Sequence, residues 1–252
     1  MSKNLGIYIH IPFCASKCAY CDFYSHANCD SLMPKYHNAI IDHIKEAGPQ
    51  LRRYYVDTVY FGGGTPSYYG AKRICEIFNA LKMNALVYRS AEVTIEVNPG
   101  TVTAEKLKEY KSVGINRLSI GLQTTQPDLL KQIGRIHDFE EFLETYEIAR
   151  SVGFNNINVD LMLGLPNQRI KDIKESLGKI IELEPEHISV YSLIIEEGTP
   201  IANKIEKGDC RVTFFLYCIL FENKFLYNIT VEHPVHQNHN VIFPVIQLCP
   251  DN

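Results

Sequence analysis

Gly6-Ile-Tyr-Ile-His-Ile-Pro-Phe-Cys-Ala-Ser-Lys-Cys-Ala-Tyr-Cys21 is the stretch from which the rest of the chain is read. Its first part, Gly6–Ile11, is a short run of β-branched and aromatic residues, the composition of a strand. Its second part sets Cys14, Cys18 and Cys21 at C-x3-C-x2-C spacing on the segment that follows. Three thiolates on a short loop can hold three corners of a cubane [4Fe-4S] cluster and leave the fourth iron open to a small molecule. The competing reading is a structural zinc site, which takes four ligands, usually as two spaced pairs. His26 and Cys29 are the nearest further candidates and form no recognisable second pair, so spacing alone leaves both readings open.

Outward from this strand, the same pattern recurs. Further strand-like segments are Asp57–Phe61, Glu92–Val97, Arg117–Leu122, Asn156–Leu163 and His187–Leu193. Helical periodicity fills the intervals, at Leu32–Arg53, Ala71–Leu86, Thr103–Val113, Phe139–Val152 and Ile170–Leu183. Gly114 and Gly153 stand where a helix C-terminus favours glycine. Strand and helix alternating, with near-continuous apolar strands, predict an α/β fold whose parallel sheet is covered by helices. Six such units suggest a partial (β/α)6 TIM-like barrel, with a doubly wound open sheet as the alternative.

Polar residues gather where predicted strands end, which in a parallel barrel is the catalytic rim. Gly62-Gly63-Gly64-Thr65-Pro66 follows the second strand and lets backbone approach a ligand closely. Glu96 ends the third strand, Gln123 the fourth, and Asp160 lies in the otherwise apolar fifth. A carboxylate there needs a donor, and the expected donors are a ligand's hydroxyls or Arg135.

The 252 residues are 46% hydrophobic, enough for a sizeable core. A formal net charge of −4 without a basic stripe speaks against nucleic acid as a partner. The N-terminal apolar segment is too short for a secretory signal, and Val212–Phe221, ten uncharged residues, is about half of a membrane span. A cytoplasmic protein without a transmembrane segment is therefore expected. In that reducing compartment the eight cysteines are not a disulfide framework, and Cys29, Cys75, Cys210, Cys218 and Cys249 receive no role. Beyond Gly208 the periodicity ends, and residues 209–252 read as a short atypical tail, poorly ordered, with a buried or aggregation-prone strand at Val212–Phe221 and a composition like that of a shifted reading frame.

Together these motifs resemble the radical S-adenosylmethionine (SAM) superfamily. Tyr8-Ile-His-Ile-Pro-Phe-Cys14, the cysteine loop, Phe61-Gly-Gly-Gly-Thr-Pro66, Glu96-Val-Asn-Pro99, Gly121-Leu-Gln123 and Asp160-Leu-Met-Leu-Gly-Leu-Pro166 are similar, in order and spacing, to the branch of oxygen-independent coproporphyrinogen III oxidases (HemN) and HemW-type heme chaperones. The resemblance runs from about residue 5 to 207 and implies a radical SAM core barrel over 1–208, with the tail in place of the branch's C-terminal domain. It implies that Cys14, Cys18 and Cys21 ligate a [4Fe-4S] cluster. Tyr8, Tyr20, Gly63, Gly64, Thr65, Glu96, Gln123, Arg135 and Asp160 would then bind SAM or a second ligand beside it. In the oxidases the third cysteine is followed by Gly and a further Cys; here Asp22-Phe23 follows, as in the heme chaperones. The resemblance thus implies a heme chaperone with a heme or porphyrin ligand and a heme-receiving partner. The alternatives are a porphyrin-biosynthetic oxidase and an inactive truncated fragment.

Overall fold

The computed structural model describes residues 3–210 and the backbone of residues 229–230. Six strands, β1 (Lys3–Ile11), β2 (Tyr54–Gly63), β3 (Leu86–Val97), β4 (Arg117–Gln123), β5 (Ile157–Leu163) and β6 (His187–Ser192), pair in parallel and in chain order. A doubly wound sheet would reverse its strand order at a switch point, and this one does not. Among the described residues no strand joins β6 back to β1, so the sheet is an open half barrel. A two-residue strand, Ile229–Thr230, pairs in parallel with Ile188 and Ser189 at the β6 edge.

Among the described residues seven helices have six or more residues: α1 (Met33–Leu51), α2 (Ala71–Asn84), α3 (Ala104–Val113), α4 (Pro127–Gln132), α5 (Phe139–Val152) and α6 (Ile170–Ile181) lie between these strands, and α7 (Pro200–Glu206) follows β6. Local chemistry sets several ends. Asp138 and Glu141 form a reciprocal capping box at the start of α5, and Gly153 ends the helix at φ 92°, where glycine avoids a Cβ clash. Gly114 closes α3 at φ 106° in the same manner.

The strands prove less uniformly apolar than expected, and the difference decides where chemistry can occur. Val59, Phe61, Val93, Ile95, Leu118, Ile120, Ile157, Val159, Ile188 and Val190 are buried in one core with Ile74, Phe78, Leu107 and Phe142 of the helices. The alternate positions Tyr8, Tyr60, Glu96, Ser119, Asn158, Asp160, Ser189 and Tyr191 point to the other, concave face, because side chains on a strand alternate sides. Helices therefore cover one face of the sheet, while the inner face is polar. The expected tail lies outside the described residues, apart from 209–210 and the backbone of 229–230, as does the expected strand at Val212–Phe221. Among the described residues no helix is long and apolar enough to cross a membrane.

Candidate functional site

The cysteine segment is drawn into a loop by its own backbone. Phe13 and Cys14 pair with His26 and Ala27, and the His26 amide donates to the Pro12 carbonyl at 2.7 Å. The glycine turn is then tied to the loop's entry: Gly64 N–H donates to Ile11 O and Thr65 N–H to Phe13 O, each at 2.8 Å. Two motifs some fifty residues apart in sequence thus become neighbours, with Thr65 Oγ1 donating to Cys14 Sγ at 3.6 Å. Glycine is required at this approach. A Cβ on Gly64 would stand 2.8 Å from Phe13 O and 2.9 Å from Cys14 Sγ.

A cleft opens at the C-terminal ends of the strands, with about 750 Å³ of space between protein atoms and its mouth. Its walls carry Cys14, Cys18, Cys21 and Tyr20 on one side and Gly63, Gly64 and Thr65 on another, with Glu96, Gln123, Arg135 and Asp160 completing the enclosure. Among the residues expected at the site, only Tyr8 does not line it. The Tyr8 ring stacks on Tyr60, centroids 6.0 Å apart, and Tyr60 in turn donates to Glu96 Oε1 at 2.9 Å. Tyr8 therefore stands behind the residue that holds Glu96.

The site's carboxylates are held by protein donors. Glu96 Oε2 accepts from the Gly63 amide at 3.1 Å, so this side chain braces the glycine turn against β3. Burial pushes the Glu96 carboxyl up to about 7, against the opposing pull of the Tyr60 hydroxyl, and the nearby Asp160 adds to the rise. Burial likewise pushes Asp160 up to about 6, opposed by its hydrogen bonds. Those bonds correct the expectation for its donor. Asn158 Nδ2 at 2.7 Å and Ser119 Oγ at 3.2 Å supply them, because both residues share the inner face with Asp160 on β5 and the adjacent β4. Arg135, on the loop after α4, acts on Asp160 only through its field.

Arg135 serves the other wall. Its Nη1 donates to Asn98 Oδ1 at 2.9 Å and its Nη2 to Tyr20 OH at 3.2 Å, while its buried Nε has no partner among the described residues. A guanidinium with no carboxylate partner there, facing a cleft, fits an anionic group. Burial pushes the Tyr20 phenol up to about 12, and it also raises the Cys18 thiol, which Arg135 partly offsets. Gln123 has φ 75°, a left-handed conformation unusual for a non-glycine residue, and its Oε1 accepts from Tyr191 OH at 2.8 Å.

Among the described residues no three His, Cys, Asp or Glu side chains converge as they would around a single metal ion. The three cysteines instead face a common cleft, beside a cation and a turn of exposed backbone, an arrangement that suits a larger anionic cofactor with an open edge. Sequence reasoning missed Tyr60, Asn98, Ser119 and Tyr191, which line or brace the cleft. Period-two alternation was the available signal for Tyr60, Ser119 and Tyr191, which share the inner face with residues already singled out, whereas Asn98 lies on the loop just past β3, where no such period applies.

The chain belongs to the radical SAM superfamily, whose family model matches residues 8–180. Within it, the chain is similar to the heme chaperone HemW of Bacillus subtilis, 39% identical over 209 residues that make up 80% of this chain and 53% of that protein. HemW of Escherichia coli is 38% identical over 201 residues, 77% of this chain and 52% of that protein. The chain thus spans about half the length of the curated relatives it matches. Among solved structures, the Escherichia coli coproporphyrinogen III oxidase HemN, described as a radical SAM enzyme, superimposes with a TM-score of 0.76 at 29% identity, covering 83% of this chain and 49% of that one. Methylornithine synthase, at 17% identity and a TM-score of 0.55, shares the fold.

Proposed function

We propose that residues 1–208 form the radical SAM core of a HemW-like heme chaperone, with a [4Fe-4S] cluster on Cys14, Cys18 and Cys21 and SAM beside it. The observation that carries this reading is that three cysteines, a glycine turn and the incompletely partnered Arg135 line one cleft. A bound cluster with an open iron would supply a low-potential electron and a chelation point for SAM. Gly63, Gly64 and Thr65 present backbone to the methionine end of SAM. Arg135 receives negative charge, and Glu96, Gln123, Asp160 and Tyr20 offer polar groups to the remainder.

The HemW relatives and the Asp22-Phe23 continuation favour heme handling. Phe23, 68% exposed at the cleft's edge, offers an apolar surface to a porphyrin face. Delivery to a recipient protein in the cytoplasm completes the proposal. Likeness to HemN supports a second reading, oxidative decarboxylation of a porphyrinogen. Anaerobic incubation of the reconstituted chain with coproporphyrinogen, SAM and reductant separates the two, followed by assays for 5′-deoxyadenosine and vinyl product alongside a heme titration. Stoichiometric heme binding without turnover is expected; substrate-dependent turnover overturns the chaperone reading.

A further inference from the structure

Cys14 is the most buried of the three cysteines, at 8% exposure, and its sulfur is the acceptor at the end of a chain of three polar side chains. Arg135 Nη1 donates to Asn98 Oδ1 at 2.9 Å, Asn98 Nδ2 donates to Thr65 Oγ1 at 3.1 Å, and Thr65 Oγ1 reaches Cys14 Sγ at 3.6 Å. The chemistry of each group fixes the direction of the chain. A guanidinium only donates, so the Asn98 carboxamide must turn its oxygen toward Arg135 and its NH2 toward Thr65. That NH2 also only donates, so the Thr65 oxygen accepts and its single proton is left for the sulfur. The Asn98 backbone is itself clamped: its N–H donates to Ser67 Oγ at 3.2 Å, and its carbonyl accepts from Thr101 Oγ1 at 2.6 Å.

We infer that Arg135 and Asn98 are positioning residues that orient the Thr65 hydroxyl onto the Cys14 sulfur and so set the reduction potential of the cluster that Cys14 holds. The inference rests on the cluster proposed above. Reduction adds negative charge to the cluster and its thiolates, and a hydrogen bond to sulfur stabilises the more negative state. In a buried setting this bond is weakly screened, and its loss makes the cluster harder to reduce.

The test is a redox titration of the anaerobically reconstituted full chain, followed by EPR and visible absorbance and performed without SAM, so that a ligand-binding role of Thr65 or Arg135 does not enter. Iron and sulfide are counted first. Thr65→Val is expected to shift the midpoint to lower potential, Thr65→Ser to stay near the parent, and Asn98→Ala to shift in the same direction as Thr65→Val. Because Asn98 acts through Thr65, adding Asn98→Ala to Thr65→Val is expected to move the potential no further. An unchanged midpoint in Thr65→Val overturns the inference, as does an Asn98→Ala shift of equal size in both backgrounds. Should Thr65→Val fail to hold the cluster, Asn98→Ala alone decides, and an unchanged midpoint is again the contrary result. A parent chain that binds no four-iron cluster removes the proposed function itself; a parent cluster indifferent to these substitutions removes only this inference.

Discussion

Glu96 and Asp160 place two carboxyls on the inner face, burial drives both upward, and the field of Asp160 adds to the rise at Glu96. For Glu96 the rise runs from 4.5 to about 7. A carboxyl whose folded value is raised contributes stability that is present below its unfolded value and lost as pH rises through its folded one. His137 acts in the opposite sense: burial lowers it from 6.5 to about 4, so its contribution is lost as pH falls. Comparison with Glu96→Gln separates these effects. The stability difference between parent and variant, measured by urea unfolding of the ligand-free protein, should shift against the parent as pH rises from about 5 to about 7.5. A difference independent of pH in that window contradicts the assignment. Of the residues around these carboxyls, Glu96 and Asp160 were legible in the sequence as polar interruptions of apolar strands. Tyr60 and Asn158 were not, because a tyrosine or asparagine in a strand reads equally well as ordinary surface until the concave face is known to line a polar cleft.

Among the elements, the glycine turn that ends β2 does most to assemble the site. Gly63 adopts φ 119° beneath the His10 ring, and Gly64 packs its backbone against Ile11, Phe13 and Cys14. Two of the atoms that a Gly64 Cβ would strike are backbone carbonyl oxygens, at 2.8 and 3.0 Å, which cannot rotate away. Gly64→Ala is therefore expected to cost about 1–3 kcal/mol in urea unfolding, as overpacking of a tight site does. It should also lower iron incorporation. Full stability together with full iron content would show that the turn has slack. The main strands and helices were readable from periodicity to within a few residues at most ends, helped by capping signals such as Asp138 with Glu141 and by the closing glycines. The short helices α4 and α7 escaped because six or seven residues span too few turns to display an apolar period.

Across the whole molecule, the decisive property is that the half barrel has two unlike faces. Helices bury one, and the other, with the loops at its C-terminal end, lines the cleft in which the chain would hold a cofactor. Sequence pattern recovered the parallel order of the six strands but took their apolar content as nearly continuous. A strand covered by helices on one side and lining a polar cleft on the other carries an alternation that Gly62, Gly121 and the bulges near Leu5, Val56 and Gly121 obscure. The site was legible to the extent that its motifs were local: the cysteine loop and glycine turn are contiguous stretches. The Arg135–Asn98–Thr65 chain joins three separate loops, which only the folded sheet brings together.

The proposed role of Cys14, Cys18 and Cys21 is to hold a cluster whose open iron meets SAM. It is tested most directly by anaerobic reconstitution with iron and sulfide, metal and sulfide analysis, and EPR of the reduced protein with and without SAM. About four irons and four sulfides per chain are expected, with a spectrum that changes when SAM is added and loss of both in Cys18→Ala. A chain that incorporates no sulfide, or a Cys18→Ala variant whose spectrum still matches the parent, would contradict it.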